Sequence, residues 1–153
     1  MSLTRRLAAV RRNQQRFPMS DGEVAGRGAE QSATLALARH ISGTAWRMHA
    51  GVRVPDPLHK GRRELDFILT APDLALVLEL KNWAGELVMD GAKVVQLRRP
   101  PKAPVKHGDL IADLDHKLTV LRRFNAHHGG PDFEAQTFIV FFNRHPRLPD
   151  ALQ

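Results

Sequence analysis

The stretch ELDFILTAPDLALVLELKNW (residues 64–83) holds most of the structural information in this sequence. Residues 64–70 and 74–80 read as two strands, with Ala71-Pro72-Asp73 as the turn between them. Three residues leave no room for a crossover, so the strands pair antiparallel. In the first, Leu65, Phe67 and Leu69 alternate to one face, and Glu64, Asp66 and Ile68 to the other. The second begins as an unbroken apolar run, Leu74 to Leu78, the pattern of a strand covered on both faces. Glu79 interrupts it. Lys81 follows two residues later and shares its face. Pairing the strands about their turn sets Asp66 close to Glu79.

Burying an ionised carboxylate without a partner costs several kcal/mol, and two carboxylates at close range repel. Both difficulties vanish if a divalent cation lies between them. Hard oxygen ligands select Mg²⁺, Mn²⁺ or Ca²⁺. A lysine beside such a pair suits phosphodiester hydrolysis, where it orients the attacking water or offsets charge in the transition state. The simpler alternative is an ordinary Glu79–Lys81 ion pair at a strand end, with Asp66 solvated beyond the sheet edge.

Upstream, Ala29, Ala33, Leu37 and Ile41 recur every four residues and predict a helix over 28–42, stopped by Gly43. Glu30 lies on the stripe through Thr34, Leu37 and Ile41. It is either a further metal or water ligand above Asp66 and Glu79, or a complement to the helix N-terminal dipole. Residues 44–54 read as a strand broken by Pro55 and Pro57, and His59 to Arg63 as a short basic loop. Downstream, residues 85–97 read as a hairpin turning at Asp90-Gly91. Gln96 on that hairpin is a weaker candidate for the site. Residues 98–108 form an electropositive, proline-rich loop. Leu110, Leu114, Leu118 and Leu121 predict a second helix over 109–128. Residues 136–142 read as a strand buried on both faces. The order α-β-β-β-hairpin-α-β gives a mixed α/β architecture.

The 153 residues suit one domain. No apolar run exceeds five residues, against about 20 needed to span a bilayer, so no membrane partner is expected. Absence of cysteine excludes disulfides, thiolate zinc sites and thiol catalysis. The histidines His107, His116, His127 and His128 lack a tight zinc spacing. Gly22, Gly26 and Gly28 make neither a P-loop nor a dinucleotide fingerprint. Trp83 is either a base-stacking ring or part of the core.

Net charge is +7, a surface attractive to nucleic acid. Five of those charges are Arg5, Arg6, Arg11, Arg12 and Arg16 in the acid-free segment 1–20. That segment reads as a basic arm before a domain of residues 21–153. It is either a solvated tail or a DNA-contacting arm, helical if Leu3, Leu7 and Val10 share a stripe. It lacks the apolar centre of a secretory signal; a mitochondrial-type presequence is the weaker option, and a cytoplasmic location is expected. The loop 98–107 is a candidate for phosphate contacts or a plain solvated loop.

Three elements together resemble the nuclease-related domain (NERD) family of the PD-(D/E)xK, restriction-endonuclease-like superfamily. They are Gly28-Ala29-Glu30 opening a helix, Glu64-Leu65-Asp66-Phe67 on a strand, and Leu78-Glu79-Leu80-Lys81-Asn82-Trp83-Ala84-Gly85. The resemblance implies a restriction-endonuclease-like αβββαβ core with a mixed central sheet flanked by helices. It implies a catalytic set of Glu30, Asp66, Glu79 and Lys81, with Asp66, Glu79 and Glu30 holding Mg²⁺ (or Mn²⁺). Two departures stand out. Ala29 separates Gly28 from Glu30, where the family has Gly-Glu. The second helix opens with Gly108-Asp109-Leu110-Ile111-Ala112-Asp113 in place of Asn-Pro-x-x-Gln. The expected function is a metal-dependent nuclease acting on DNA, with a homodimer allowed. The alternatives are a non-catalytic nucleic-acid-binding module on the same fold, and a protein-interaction domain with a vestigial site.

Overall fold

The computed structural model describes residues 2–14, 27–141 and 147–152. Residues 15–26, Arg16 among them, and Phe142 lie outside them. Helix α1 (Leu3–Gln14) precedes α2 (Arg27–Ile41), then strands β1 (Arg47–Pro55), β2 (Arg62–Thr70) and β3 (Leu74–Lys81). The hairpin β4 (Glu86–Asp90) and β5 (Lys93–Leu97) follows, then β6 (Val105–Lys106), α3 (Leu110–His127) and β7 (Glu134–Phe141). A 3-10 turn covers Asp150–Leu152.

The main sheet has the order β1-β2-β3-β7. Its first two pairings are antiparallel and β3–β7 is parallel, reached through α3. The sheet is therefore mixed and flanked by helices, as expected. A second antiparallel sheet orders β4-β5-β6. Helix α3 starts where Asp109 caps it, its carboxylate accepting from the Ala112 N–H at 2.9 Å.

Two apolar clusters sandwich the main sheet. On one face Leu7 of α1 and Leu114, Val120, Leu121 and Phe124 of α3 pack with Val52, Val54, Leu65, Ile68 and Val77. On the other, Ala33, Leu37 and Ile41 of α2 pack with Met48, Ala50, Phe67, Leu69 and Leu78. Strict alternation would put Ala50 and Val52 on one face, and likewise Leu65 and Phe67. They lie on opposite faces. The β1–β2 pairing skips Gly51 and Asp66 and resumes in the same register, and Gly51 has φ +57°. Both strands thus turn over together at this point. The single-face reading of Leu65, Phe67 and Leu69 is corrected accordingly. Gly51 is needed for that backbone, since L residues pay for a left-handed φ. Among the described residues, none beyond its chain neighbours has an atom within 4 Å of a Cβ added there. Gly51→Ala is therefore expected to cost about 1 kcal/mol from backbone strain alone, measured by urea unfolding.

Three further readings change. Arg62 and Arg63 belong to β2, paired with Pro55 and Val54, and not to a loop. Strand β7 is an edge strand with Phe138 45% exposed, so it is not buried on both faces. Arg5, Arg6, Arg11 and Arg12 sit on a helix and not on a solvated tail. Helix α1 is docked in the core, with Leu7 fully buried and Arg6 nearly so. Arg6 Nη1 donates to Oδ1 and the carbonyl of Asn125 at the end of α3. Thr4 and Thr70 share a hydroxyl hydrogen bond of 2.8 Å, and Thr70 also meets His49 Nε2 at 3.2 Å. Burial, with the nearby Arg11 charge, lowers the His49 pKa to about 4 and keeps the ring uncharged near neutrality. Arg5, Arg11 and Arg12 remain exposed.

Candidate active site

The β2–β3 ladder runs from Thr70↔Ala75 to Phe67↔Leu78 and stops. One more step would pair Asp66 with Glu79. There the strands fork. Asp66 Oδ2 fills the fork by accepting the Leu80 N–H at 2.7 Å, the donor the ladder would have used. Strand β3 stays anchored on its other side, because its pairing with β7 continues through Glu79↔Ile139 and Lys81↔Phe141. Glu79 and Lys81 therefore sit on backbone still paired with β7, beside the point where the β2–β3 ladder ends.

Glu79 is 7% exposed. Its Oε1 meets Lys81 Nζ at 2.7 Å, and its Oε2 meets Lys117 Nζ at 2.7 Å. Lys117 comes from α3 and also lies 3.3 Å from Asp113 Oδ2, one helical turn earlier. Burial pulls the Lys117 pKa down. The hydrogen bond and charge of Glu79, with Asp113 and Asp66, outweigh it and hold the pKa above its usual value. Asp66 is pushed up to about 6, first by burial and then by the negative charge of Glu79. The Leu80 N–H and the two lysines offset only part of this. Asp66 is thus neither solvated nor remote from Glu79, against the simpler alternative.

An aromatic wall adjoins Lys81. Trp83 stacks on His107 with ring centroids 3.6 Å apart and planes at 16°, and Phe141 lies 6.2 Å away. Lys81 Nζ stands 5.6 Å from the Trp83 ring centroid, within cation–π range. Burial, then the charges of Lys81 and Arg98, lower the His107 pKa. His107 Nε2 lies 3.3 Å from Gln96 Oε1, and Gln96 Nε2 donates to the Ala84 carbonyl at 2.7 Å. Gln96 is buried and braces the chain just after Lys81. A cleft of about 1140 Å³ opens alongside, lined by Asn82 and Gln96 together with Arg98, Arg99, Lys102 and Arg147.

The family model of the nuclease-related domain, NERD, matches residues 25–142. The chain belongs to the NERD family. No curated protein and no solved structure matches it. The mixed sheet and its flanking helices agree with the restriction-endonuclease-like core of the PD-(D/E)xK superfamily.

Within this NERD domain the structure brings Asp66, Glu79 and Lys81 together. Glu30 lies near the start of α2, the helix on the face opposite α3; its side chain is outside the described residues. Among the described residues no three His, Asp or Glu side chains converge as a metal cage. Two carboxylates nevertheless fit an ion such as Mg²⁺, which completes its shell with water and phosphate. Burial first and the Glu79 charge second raise the Asp66 pKa, and a bound cation would relieve both. Lys117 was missed in the sequence. The signal was there: a lysine three residues after Leu114 and four before Leu121 sits on the apolar stripe of its helix.

No described helix is long and apolar enough to cross a membrane.

Proposed function

We propose that this NERD domain is a divalent-cation-dependent nuclease that hydrolyses DNA through Asp66, Glu79 and Lys81. The observation that carries the reading is the fork: a strained carboxyl, a buried carboxylate and an ammonium meet where β2 and β3 part. Asp66 and Glu79 would hold Mg²⁺ or Mn²⁺, and Glu30 would reach it through water, as the family's acid set implies. When bound, the ion supplies Lewis acidity toward a phosphodiester and its attacking water. Lys81, held by Glu79 on one side and by the Trp83 ring on the other, presents fixed positive charge to the phosphoryl oxygens. The cationic cleft would hold the phosphate backbone without reading sequence.

The test is cleavage of supercoiled plasmid and of single-stranded DNA with Mg²⁺ or Mn²⁺. Lys81→Ala is expected to slow cleavage on the order of 10²-fold while DNA binding persists. Cleavage by that variant at the wild-type rate would refute the reading.

One observation favours a second reading, a nucleic-acid-binding module without catalysis. Both oxygens of Glu79 already meet lysines, so that carboxylate is neutralised without any ion. That reading predicts steeply salt-dependent DNA binding with no cleavage, indifferent to substitution of Asp66 and Glu79.

A further inference from the structure

Lys117 reaches Glu79 from a different element, 38 residues further along the chain. We propose that Lys117 is an internal counter-cation of the metal site. It holds the Glu79 carboxylate in place when no divalent ion is bound, and it moves to Asp113 when one arrives. This rests on the nuclease reading and adds to it a residue that sets metal affinity.

The geometry has three parts. The two oxygens of Glu79 are divided between two ammonium groups at equal distances of 2.7 Å, Lys81 on Oε1 and Lys117 on Oε2. Lys81 is held on its other side by the Trp83 ring, 5.6 Å from its centroid. Lys117 has the same flexible four-carbon stem and compact charge but a second carboxylate to go to, so it is the one that can leave. Its alternative acceptor is already within reach: Asp113 Oδ2 is 3.3 Å away and that side chain is half exposed. The i,i+4 spacing of Asp113 and Lys117 is the favourable helical order, acid before base. A divalent ion drawing on Glu79 would repel the Lys117 ammonium, and Asp113 would receive it without loss of the charge to solvent. Lys117 is thus a positioning residue, acting on the reaction through Glu79.

The experiment is calorimetric titration of the metal-free protein with Mn²⁺ alone, without DNA, alongside thermal melts. Lys117→Met keeps the apolar stem and removes the competing charge. It is expected to bind Mn²⁺ about tenfold more tightly than wild type and to melt lower without metal. Lys117→Arg restores the charge and should return the affinity toward wild type. Asp113→Asn, at a half-exposed position that does not threaten folding, removes the alternative acceptor and should weaken Mn²⁺ binding severalfold. If Glu79→Gln abolishes Mn²⁺ binding but Lys117→Met and Asp113→Asn leave it unchanged, the counter-cation role is overturned and the nuclease reading survives. If wild type takes up no Mn²⁺, both fall together.

Discussion

Asp66→Asn is expected to remove cleavage and, in the metal-free protein, to raise stability at pH 8. The two effects share one cause. The folded-state pKa of Asp66 is about 6, above the ordinary 3.8 of an aspartate in an unfolded chain. The folded protein therefore binds this proton more tightly than the unfolded chain does. The associated stability is fully present below about pH 4 and is lost as pH rises through about 6. At pH 8 the folded state carries the whole penalty of an ionised, part-buried carboxylate beside Glu79. Two pKa units correspond to about 3 kcal/mol, and partial solvent access reduces this to about 1–2 kcal/mol. Asparagine removes the charge and keeps an amide oxygen to accept the Leu80 N–H. Thermal melts without divalent ions should show the variant several degrees above wild type at pH 8, with the gap closing by pH 4. Adding Mn²⁺ should then stabilise wild type and not the variant. Cleavage should drop on the order of 10²–10³-fold. A variant no more stable than wild type at pH 8 would show that Asp66 is not under electrostatic strain. Conflict between activity and stability at one residue is common where a site is built to receive a cation.

The largest loss of stability is expected from Leu7→Ala, at about 3 kcal/mol. Leu7 is fully buried and packs with Val52, Val54 and Leu65 of the sheet and with Leu121 of α3. Truncating it leaves a cavity that strands β1 and β2 cannot close, because they are held on their other face by α2. Urea unfolding measures the loss. Paired replacement of the exposed Arg11 and Arg12 by Ala should change stability little, because neither side chain is buried. Equal stability of Leu7→Ala and wild type would mean that α1 is dispensable to the fold.

Much of the core was legible because its signals are local. The two strand-like runs at 64–70 and 74–80, with a three-residue turn between them, are enough to pair β2 with β3 and to bring Asp66 toward Glu79. The interval between Glu79 and Lys81 is enough to put them on one face, where they form an ion pair. The stripe of Leu114, Leu118 and Leu121 is enough for α3, and all three pack into the core. Other features broke the local pattern. Alternation across Gly51 and Asp66 failed because a left-handed glycine turns both strands over. The apolar run of β7 read as doubly buried because composition does not say whether another element covers each face of a strand, and here Phe138 is left 45% exposed.

The sequence by itself determined the order of the main elements (though not the short β6 inside the stretch read as a loop), the strand pair that carries Asp66, Glu79 and Lys81, and the family, since these depend on spacings within about 20 residues. Only the tertiary structure decided that α1 belongs to the core, that β7 is an edge, and that Lys117 shares Glu79 with Lys81. Those depend on which distant segments pack together. The apolar stripe marks Lys117 as inward-facing, but which partner it or Arg6 meets across 38 or 119 residues leaves no periodic trace in the chain.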